Sequence, residues 1–388
     1  MSHHNTVLGQ LLQLLPRHQF EQLVLQHKSD HYVKTFTTWQ QLITLLYAQM
    51  KGYDSLREIT AGLNAQAHKS YHLGLRPVTR STLSDANSRR NPAIFEGLFY
   101  ALLARCQSIT PRHKFRFHNP LYSMDATTIE LCLSVFEWAK FRRTKGALKL
   151  HCLLDHRGCI PAFMVATDGA RHEGPVAKET DWPLSADSIV TMDRGYMDFK
   201  WLKMLDSQGV TFVTRTKTNM VYEITGQHPL PHRTGLRADL RIRLTGAQAQ
   251  KDYPEELRLV RWYDEEHDKE LEFLTNNFKL AAATIAAIYK ARWQIELFFK
   301  WIKQNLKIKS FLGTSRNAVM TQIWVAMCTY LLMAYIKFQT SYRYSLLALT
   351  RICRETLLDR VALIDLLSLH PDRAIRHARD PSNQLLLF

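Results

Sequence analysis

The strongest constraint on the fold is a change of texture near residue 118. Before it, residues 1 to about 105 read as short amphipathic helices. Leu8, Leu11, Leu12, Leu14 and Leu15 mark one, and Trp39, Leu42, Leu45, Leu46 and Met50 mark another that ends near Gly52. Ser55-Leu56-Arg57-Glu58 has the pattern of a capping box opening a third. A further helix is expected to start at Ser81 or Thr82, to hold Arg80, Arg89 and Arg90, and to stop at Pro92. After the change, residues 121–133, 148–154 and 159–167 read as three strands in a meander. Strands at 188–192 and 210–214 then alternate with helices at 173–181 and 199–205. This order implies an α/β fold, a mixed sheet flanked by helices. Residues 217–278 read as an all-β insertion with strands at 239–244, 256–263 and 270–273. One long helix is expected from about 281 to 305, more helix to about 369, and a tail.

Charge narrows the partner. Lys plus Arg number 51 against 35 Asp plus Glu, a net +16, with a pI of about 9.6. An excess of this size favours a polyanion, nucleic acid first. The hydrophobic fraction of 46% excludes wholesale disorder. The six cysteines form no C-x-x-C pair, and several lie in apolar runs, as reduced core thiols of a cytoplasmic protein do. The N-terminus has no signal-peptide pattern, and the most apolar segment, 323–336, is too short to span a membrane.

The residues with chemical promise fall into two groups. Tyr289, Arg292, Glu296 and Lys303 are spaced by 3, 4 and 7 residues, which at about 100° per residue puts all four in a stripe about 60° wide. From Lys290 to Arg316 there are seven Lys or Arg and one acid, Glu296. Phosphates docked on such a stripe meet a lone carboxylate, which makes chemical sense when a metal ion lies between them. An ion-pair ladder has the same spacing. Two further acids lie on strands. Asp125 interrupts the strand YSMDATTIEL, and a buried Asp there costs free energy unless paired or metal-bound; an edge strand facing water is the other reading. Asp193 ends the apolar run SIVTM before Arg194-Gly195-Tyr196. That is where open sheets place their sites and also where turn or cap aspartates occur. Asp155 and Asp168 are weaker candidates, each before a glycine turn. Lys140, Arg142, Arg143, Lys145 and Lys149 form a basic run without an intervening acid, either a DNA track or a solvated hairpin. His151 reads as a core histidine, with an approach to the site as the other reading, and Trp262 as a core tryptophan, with base stacking as the other reading.

The set Tyr289, Arg292, Glu296 and Lys303 resembles the Y-(2)-R-(3)-E-(6)-K signature of the DDE transposases of the IS-four type of bacterial insertion sequence. Met124-Asp125-Ala126-Thr127 resembles the segment of that family's first aspartate, and Asp193-Arg194-Gly195-Tyr196 its D-R-G-Y segment. The likeness covers roughly residues 118–340.

The resemblance implies a ribonuclease-H-like mixed sheet with flanking helices, interrupted by a β-rich insertion and preceded by a helical N-terminal domain. The expected division is a DNA-binding domain at 1–110, a catalytic domain at 118–216 and 279–345, the insertion at 217–278 and a C-terminal helical segment and tail at 346–388. It implies that Asp125, Asp193 and Glu296 are catalytic and hold two Mg²⁺ or Mn²⁺ ions. Tyr289, Arg292, Lys303, Arg194, Arg142 and Lys145 would contact DNA. The implied function is cut-and-paste DNA transposition: metal-dependent cleavage at transposon ends and strand transfer into target DNA. The implied partners are double-stranded DNA, as terminal inverted repeats and as target, and a second copy of the chain, with no membrane. The implied location is the bacterial cytoplasm, with the nucleoid. In related enzymes excision passes through a DNA hairpin with a flipped base stacked on an aromatic ring. A DNA-binding protein without catalysis, and a metal-dependent nuclease of ribonuclease-H type, are the alternatives.

Overall fold

The structure, a computed structural model, describes residues 5–132, 136–142, 145–230, 235–306, 308 and 310–368. Seven helices come first: α1 (Val7–Gln13), α2 (Arg17–Gln26), α3 (Thr38–Lys51), α4 (Leu56–Ala65), α5 (Ala67–Ser70), α6 (Arg80–Arg89) and α7 (Ala93–Gln107). Local chemistry sets their ends. The reciprocal capping box belongs to α3: Thr37 Oγ1 accepts the Gln40 N–H at 3.3 Å, and Gln40 Oε1 accepts the Thr37 N–H at 3.0 Å. At the expected box, Ser55 does cap α4, but the Glu58 carboxylate takes the N–H of Asp54 instead. Gly52 ends α3 at φ 74°, a left-handed conformation that glycine adopts without strain. Helix α6 starts earlier than expected, because Thr79 is its cap and accepts the Thr82 N–H at 3.2 Å.

The sheet contains β1 (Leu121–Leu131), β2 (Lys140–Arg142), β3 (Lys145–Asp155), β4 (Ile160–Asp168), β5 (Ile189–Met192) and β6 (Thr211–Arg215), with α8 (Glu173–Glu179) and α9 (Phe199–Ser207) between the later strands. β1 pairs antiparallel with β3, and β3 with β4, making the meander. On its other edge β1 pairs parallel with β5, and β5 with β6. An antiparallel meander continued by parallel strands with helical crossovers is the ribonuclease-H-like arrangement expected.

Residues 217–278 extend this same sheet. β7 (Tyr222–Gln227), β8 (Leu236–Leu244), β9 (Leu257–Asp264) and β10 (Lys269–Thr275) continue it in the order β6-β10-β9-β8-β7, with β10 antiparallel to β6. The segment is not all strand, because α10 (Ala247–Asp252) lies between β8 and β9. β7 has no alternating pattern in its sequence, and its middle three residues are exposed.

The helices α11 (Ala282–Ala291), α12 (Trp293–Asn305), α13 (Arg316–Gln339), α14 (Leu346–Glu355) and α15 (Leu363–Ser368) complete the described fold. The expected single helix is thus two, joined at Arg292. There the Arg292 N–H bonds Tyr289 O at 3.0 Å and the Ile295 N–H bonds Arg292 O at 3.0 Å, so the chain tightens to an i→i−3 turn. Helix α13 is the centre of the helical mass. Its apolar residues share one core with α1 to α4, α6, α7, α12, α14, α15 and one face of β1, β3 and β4. It is the one helix among the described residues long and apolar enough to cross a membrane, and 89% of its apolar window is buried within the protein. The opposite sheet face packs on α9, and α11 covers β5, β6, β9 and β10.

Candidate active site

The middle of β1, the end of β5 and the α11–α12 junction meet where the parallel pairing of β1 with β5 stops. Met124 of β1 and Met192 of β5 are register partners, so Asp125 and Asp193 each follow the last paired residue of neighbouring strands. β1 is an inner strand here, so Asp125 is not an edge residue facing water; its side chain is 20% exposed. Its Oδ1 accepts the Ala126 N–H at 2.7 Å. Asp193 Oδ1 accepts the Arg194 N–H at 2.7 Å and opens a 3-10 turn, Arg194–Tyr196. Arg292 links the helix junction to both β1 and α12: it donates to Asp125 Oδ2 at 3.0 Å and to Glu296 Oε1 at 2.6 Å.

The electrostatics follow first from burial and then from the neighbouring charges. Burial pushes the Asp125 carboxyl up to about 6; the Ala126 N–H and the Arg292 charge pull it down, and Glu296 and Asp193 push it further up. The site therefore has more negative charge than its own cation neutralises. Its donors are hard carboxylate oxygens, a set that suits Mg²⁺ or Mn²⁺. The ligand oxygens of Asp125, Asp193 and Glu296 are not all within 4.8 Å of one another; among the described residues only Asp264, Glu266 and His267 form so close a set. That set is at the β9–β10 turn, where Glu266 pairs with Lys290.

The remaining sequence candidates divide. The Tyr289 ring packs on Phe273 with centroids 4.9 Å apart, and the Arg292 guanidinium is 5.6 Å from the Tyr289 centroid. Arg194 is exposed beside Asp193, and Lys303 is half-buried on α12 two turns beyond Glu296. Arg143 and the side chains of Lys140, Arg142 and Lys145 lie outside the described residues. Lys149 is no open track cation, because it is paired with Glu173 at 2.6 Å. His151 is buried and bonds Thr167 Oγ1 through Nε2 at 3.1 Å. Trp262 is half-buried against the α11 core. Asp155 is tied to Arg157 at 2.9 Å, three residues away from Asp125 along the β1 register, and Asp168 ends β4.

Two neighbours escaped the sequence reading. Arg215 ends β6, next to Thr214, the register partner of Met192, and opposite Phe273. No carboxylate pairs with it among the described residues. Glu173 brings its Oε2 to within 3.9 Å of where a Cβ on Gly195 would stand, so it walls the Asp193 turn. Neither belongs to a local motif; only strand register and helix packing bring them there.

In the N-terminal region, Arg80 and Arg89 of α6 are exposed, as a reading helix needs. Arg90 is different. Its guanidinium donates to Thr37 O at 3.2 Å, to Gln41 Oε1 at 3.0 Å and to Phe36 O, so it ties α6 to the start of α3 and is not available to DNA.

Comparison with known proteins shows the family. Residues 117–332, more than half of the chain, match the transposase DDE domain family. Residues 3–76 match a family described as a domain of unknown function. A Geobacillus stearothermophilus chain named as the probable transposase for insertion sequence element IS5377 is 28% identical over 348 residues, 87% of this chain and 86% of that one. A Sinorhizobium fredii chain, named as transposase y4zB with the assignment marked as inferred, is 32% identical over 255 residues, 65% of this chain and 69% of that one. A solved piggyBac transposase synaptic complex with hairpin DNA aligns at TM-score 0.44 and 11% identity, covering 93% of this chain and 80% of that one.

Proposed function

This chain belongs to the DDE transposases, metal-using enzymes of DNA transposition, and we propose that Asp125, Asp193 and Glu296 are its catalytic carboxylates. The observation that carries the reading is their convergence at one strand edge around Arg292. These carboxylates would hold two Mg²⁺ or Mn²⁺ ions, which would supply an activated oxygen nucleophile and charge stabilisation on the leaving oxygen. Asp125 and Asp193 hold their oxygens at fixed backbone positions, because each also accepts the next residue's N–H. Glu296 reaches in from a helix braced by the α13 core. The substrate is the terminal inverted repeats of the chain's own element, cut and then joined to target DNA by two copies acting on two ends. Arg194, Arg215, Lys303, Arg142 and Lys145 hold backbone phosphates, which fix register without reading sequence. Arg292 and Tyr289 hold the phosphate nearest the scissile bond. The exposed Arg80 and Arg89 of α6 bind the repeats. The relatives named above are bacterial, which fits work on the nucleoid in the cytoplasm.

The test is a cleavage and strand-transfer assay on a labelled duplex bearing the sequences that flank the coding region, run with Mg²⁺, Mn²⁺ or EDTA. Wild type should cut and join only with metal. Asp125→Asn, Asp193→Asn and Glu296→Gln should each abolish both steps while leaving duplex binding in place. Cutting that survives any of the three sinks the assignment of that residue. Cutting without joining would favour a nuclease of ribonuclease-H type.

A further inference from the structure

Arg292 occupies one oxygen on each of two carboxylates that the catalytic reading needs. Its Nη1 faces Asp125 Oδ2 and its Nη2 faces Glu296 Oε1, at 3.0 and 2.6 Å, with only 13% of the side chain exposed. The guanidinium thus lies between two of the three carboxylates, occupying one oxygen of each, and its positive charge in contact with them repels a divalent cation at the oxygens left over. The oxygens of the three acids are also spread wider than a close ligand set. The third nitrogen, Nε, is buried and has no hydrogen-bond partner. A buried donor left unmade costs free energy, so the resting contact leaves Arg292 under-satisfied. A phosphate offers a guanidinium the same planar, bidentate match as a carboxylate and enough oxygens to take Nε as well.

We propose that Arg292 is a built-in competitor of the divalent ion, holding Asp125 and Glu296 until a DNA phosphodiester draws its guanidinium away. The inference rests on Asp125 and Glu296 being metal ligands. Metal and DNA then bind cooperatively. By linkage, DNA raises metal affinity by the same factor as metal raises DNA affinity. The protein without DNA stays poorly loaded, so hydrolysis away from bound DNA ends is suppressed.

The test is Mn²⁺ binding to the full-length protein, followed by electron paramagnetic resonance of free Mn²⁺, with and without the flanking-sequence duplex. Wild type should bind Mn²⁺ on the order of tenfold more tightly with the duplex than without it, a typical coupling between two sites. Arg292→Gln should bind Mn²⁺ more tightly than wild type without DNA, and the duplex should add little. Arg292→Lys keeps a cation but loses the fork, and should fall between the two; it also serves where the Gln variant fails to fold. Equal Mn²⁺ affinity in wild type and both variants, or no effect of the duplex on wild type, overturns the proposal. Asp125→Asn and Glu296→Gln separate the two readings. If they do not weaken Mn²⁺ binding, the ligand assignment itself fails. If they do, and Arg292→Gln changes nothing, only the competition fails.

Discussion

Arg292 donates a 3.0 Å hydrogen bond to Asp125 across 167 residues of chain, yet Asp125 still has a carboxyl raised to about 6. Burial outweighs the cation, with Glu296 and Asp193 adding to it. The sign follows. A carboxyl whose folded pKa is raised binds its proton more tightly folded than unfolded. Its charge is a cost to stability fully present above about 6 and absent once pH falls below the ordinary value of 3.8. Asp125→Asn should therefore stabilise the protein in EDTA at pH 8, on the order of 1–3 kcal/mol, and by much less at pH 4. Urea unfolding of wild type and variant at both values measures it. A variant less stable than wild type at pH 8 would show that Arg292 wins over burial.

Two buried histidines act with the opposite sign. His156 bonds Ser123 Oγ through Nε2 at 2.7 Å, and burial, with a smaller push from His113, lowers it to about 3. His151 is lowered to about 4, again mainly by burial. A lowered imidazole pKa gives stability that is complete above the unfolded value near 6.5 and is lost as pH falls toward the folded value. Each contributes a slope of up to about 1.4 kcal/mol per pH unit in that window. Two imidazoles outweigh one carboxyl, so wild type should lose stability from pH 6.5 to 4.5. In His156→Asn the His151 and Asp125 effects nearly cancel, so most of that loss should disappear in urea titrations at stepped pH. An unchanged slope would mean that His156 binds its proton equally well in the folded and unfolded states.

What the sequence revealed was local or carried by chemistry out of place. Asp125 was legible because a charge in an apolar strand needs a reason, and Asp193 because a short buried strand ended on it. The kink at Arg292 was not legible, since Lys290 to Gln294 contains no proline or glycine to mark it. β7 left no trace because its residues are exposed on successive positions. That residues 217–278 join the main sheet depends on β10 pairing Phe273 with Arg215, a contact 58 residues apart with no local signal. Arg90 looked like surface charge because its partners, Phe36, Thr37 and Gln41, lie 54, 53 and 49 residues earlier in the chain.

A buried ion pair joins β8 to β9, and its arginine also ties β9 to the turn before α11. Arg258 of β9 makes two 2.8 Å bonds to Asp239 of β8, and its Nη1 also donates to Asn277 O at 3.1 Å and Leu280 O at 2.6 Å, in the turn that leads into α11. Removing one partner leaves the other charge buried alone. Asp239→Ala should cost about 3–5 kcal/mol. The double replacement of Asp239 and Arg258 by apolar residues of similar volume should recover much of that. Thermal unfolding of the two variants decides it. A double variant as unstable as Asp239→Ala would mean that the carbonyl bonds to the α11 turn, and not the unpaired charge, carry the loss.

The three arginines of α6 and its cap should separate by experiment. Arg90 is held by two backbone carbonyls and Gln41, with Asp30 at 3.7 Å, whereas Arg80 and Arg89 are exposed. Exposed substitutions away from special contacts usually change stability by no more than about 0.5 kcal/mol. Arg80→Ala and Arg89→Ala should therefore keep the wild-type Tm. If α6 lies on the DNA backbone, each should lower the slope of log binding constant against log salt by about one. Arg90→Ala should do the reverse, lowering Tm by several degrees, because α3 loses its tie to α6, while the salt slope of the protein that remains folded is unchanged. Binding titrations at stepped salt, alongside thermal unfolding of each variant, give both readouts. If Arg80→Ala and Arg89→Ala leave the slope intact, α6 is a packing helix and the repeats are bound elsewhere.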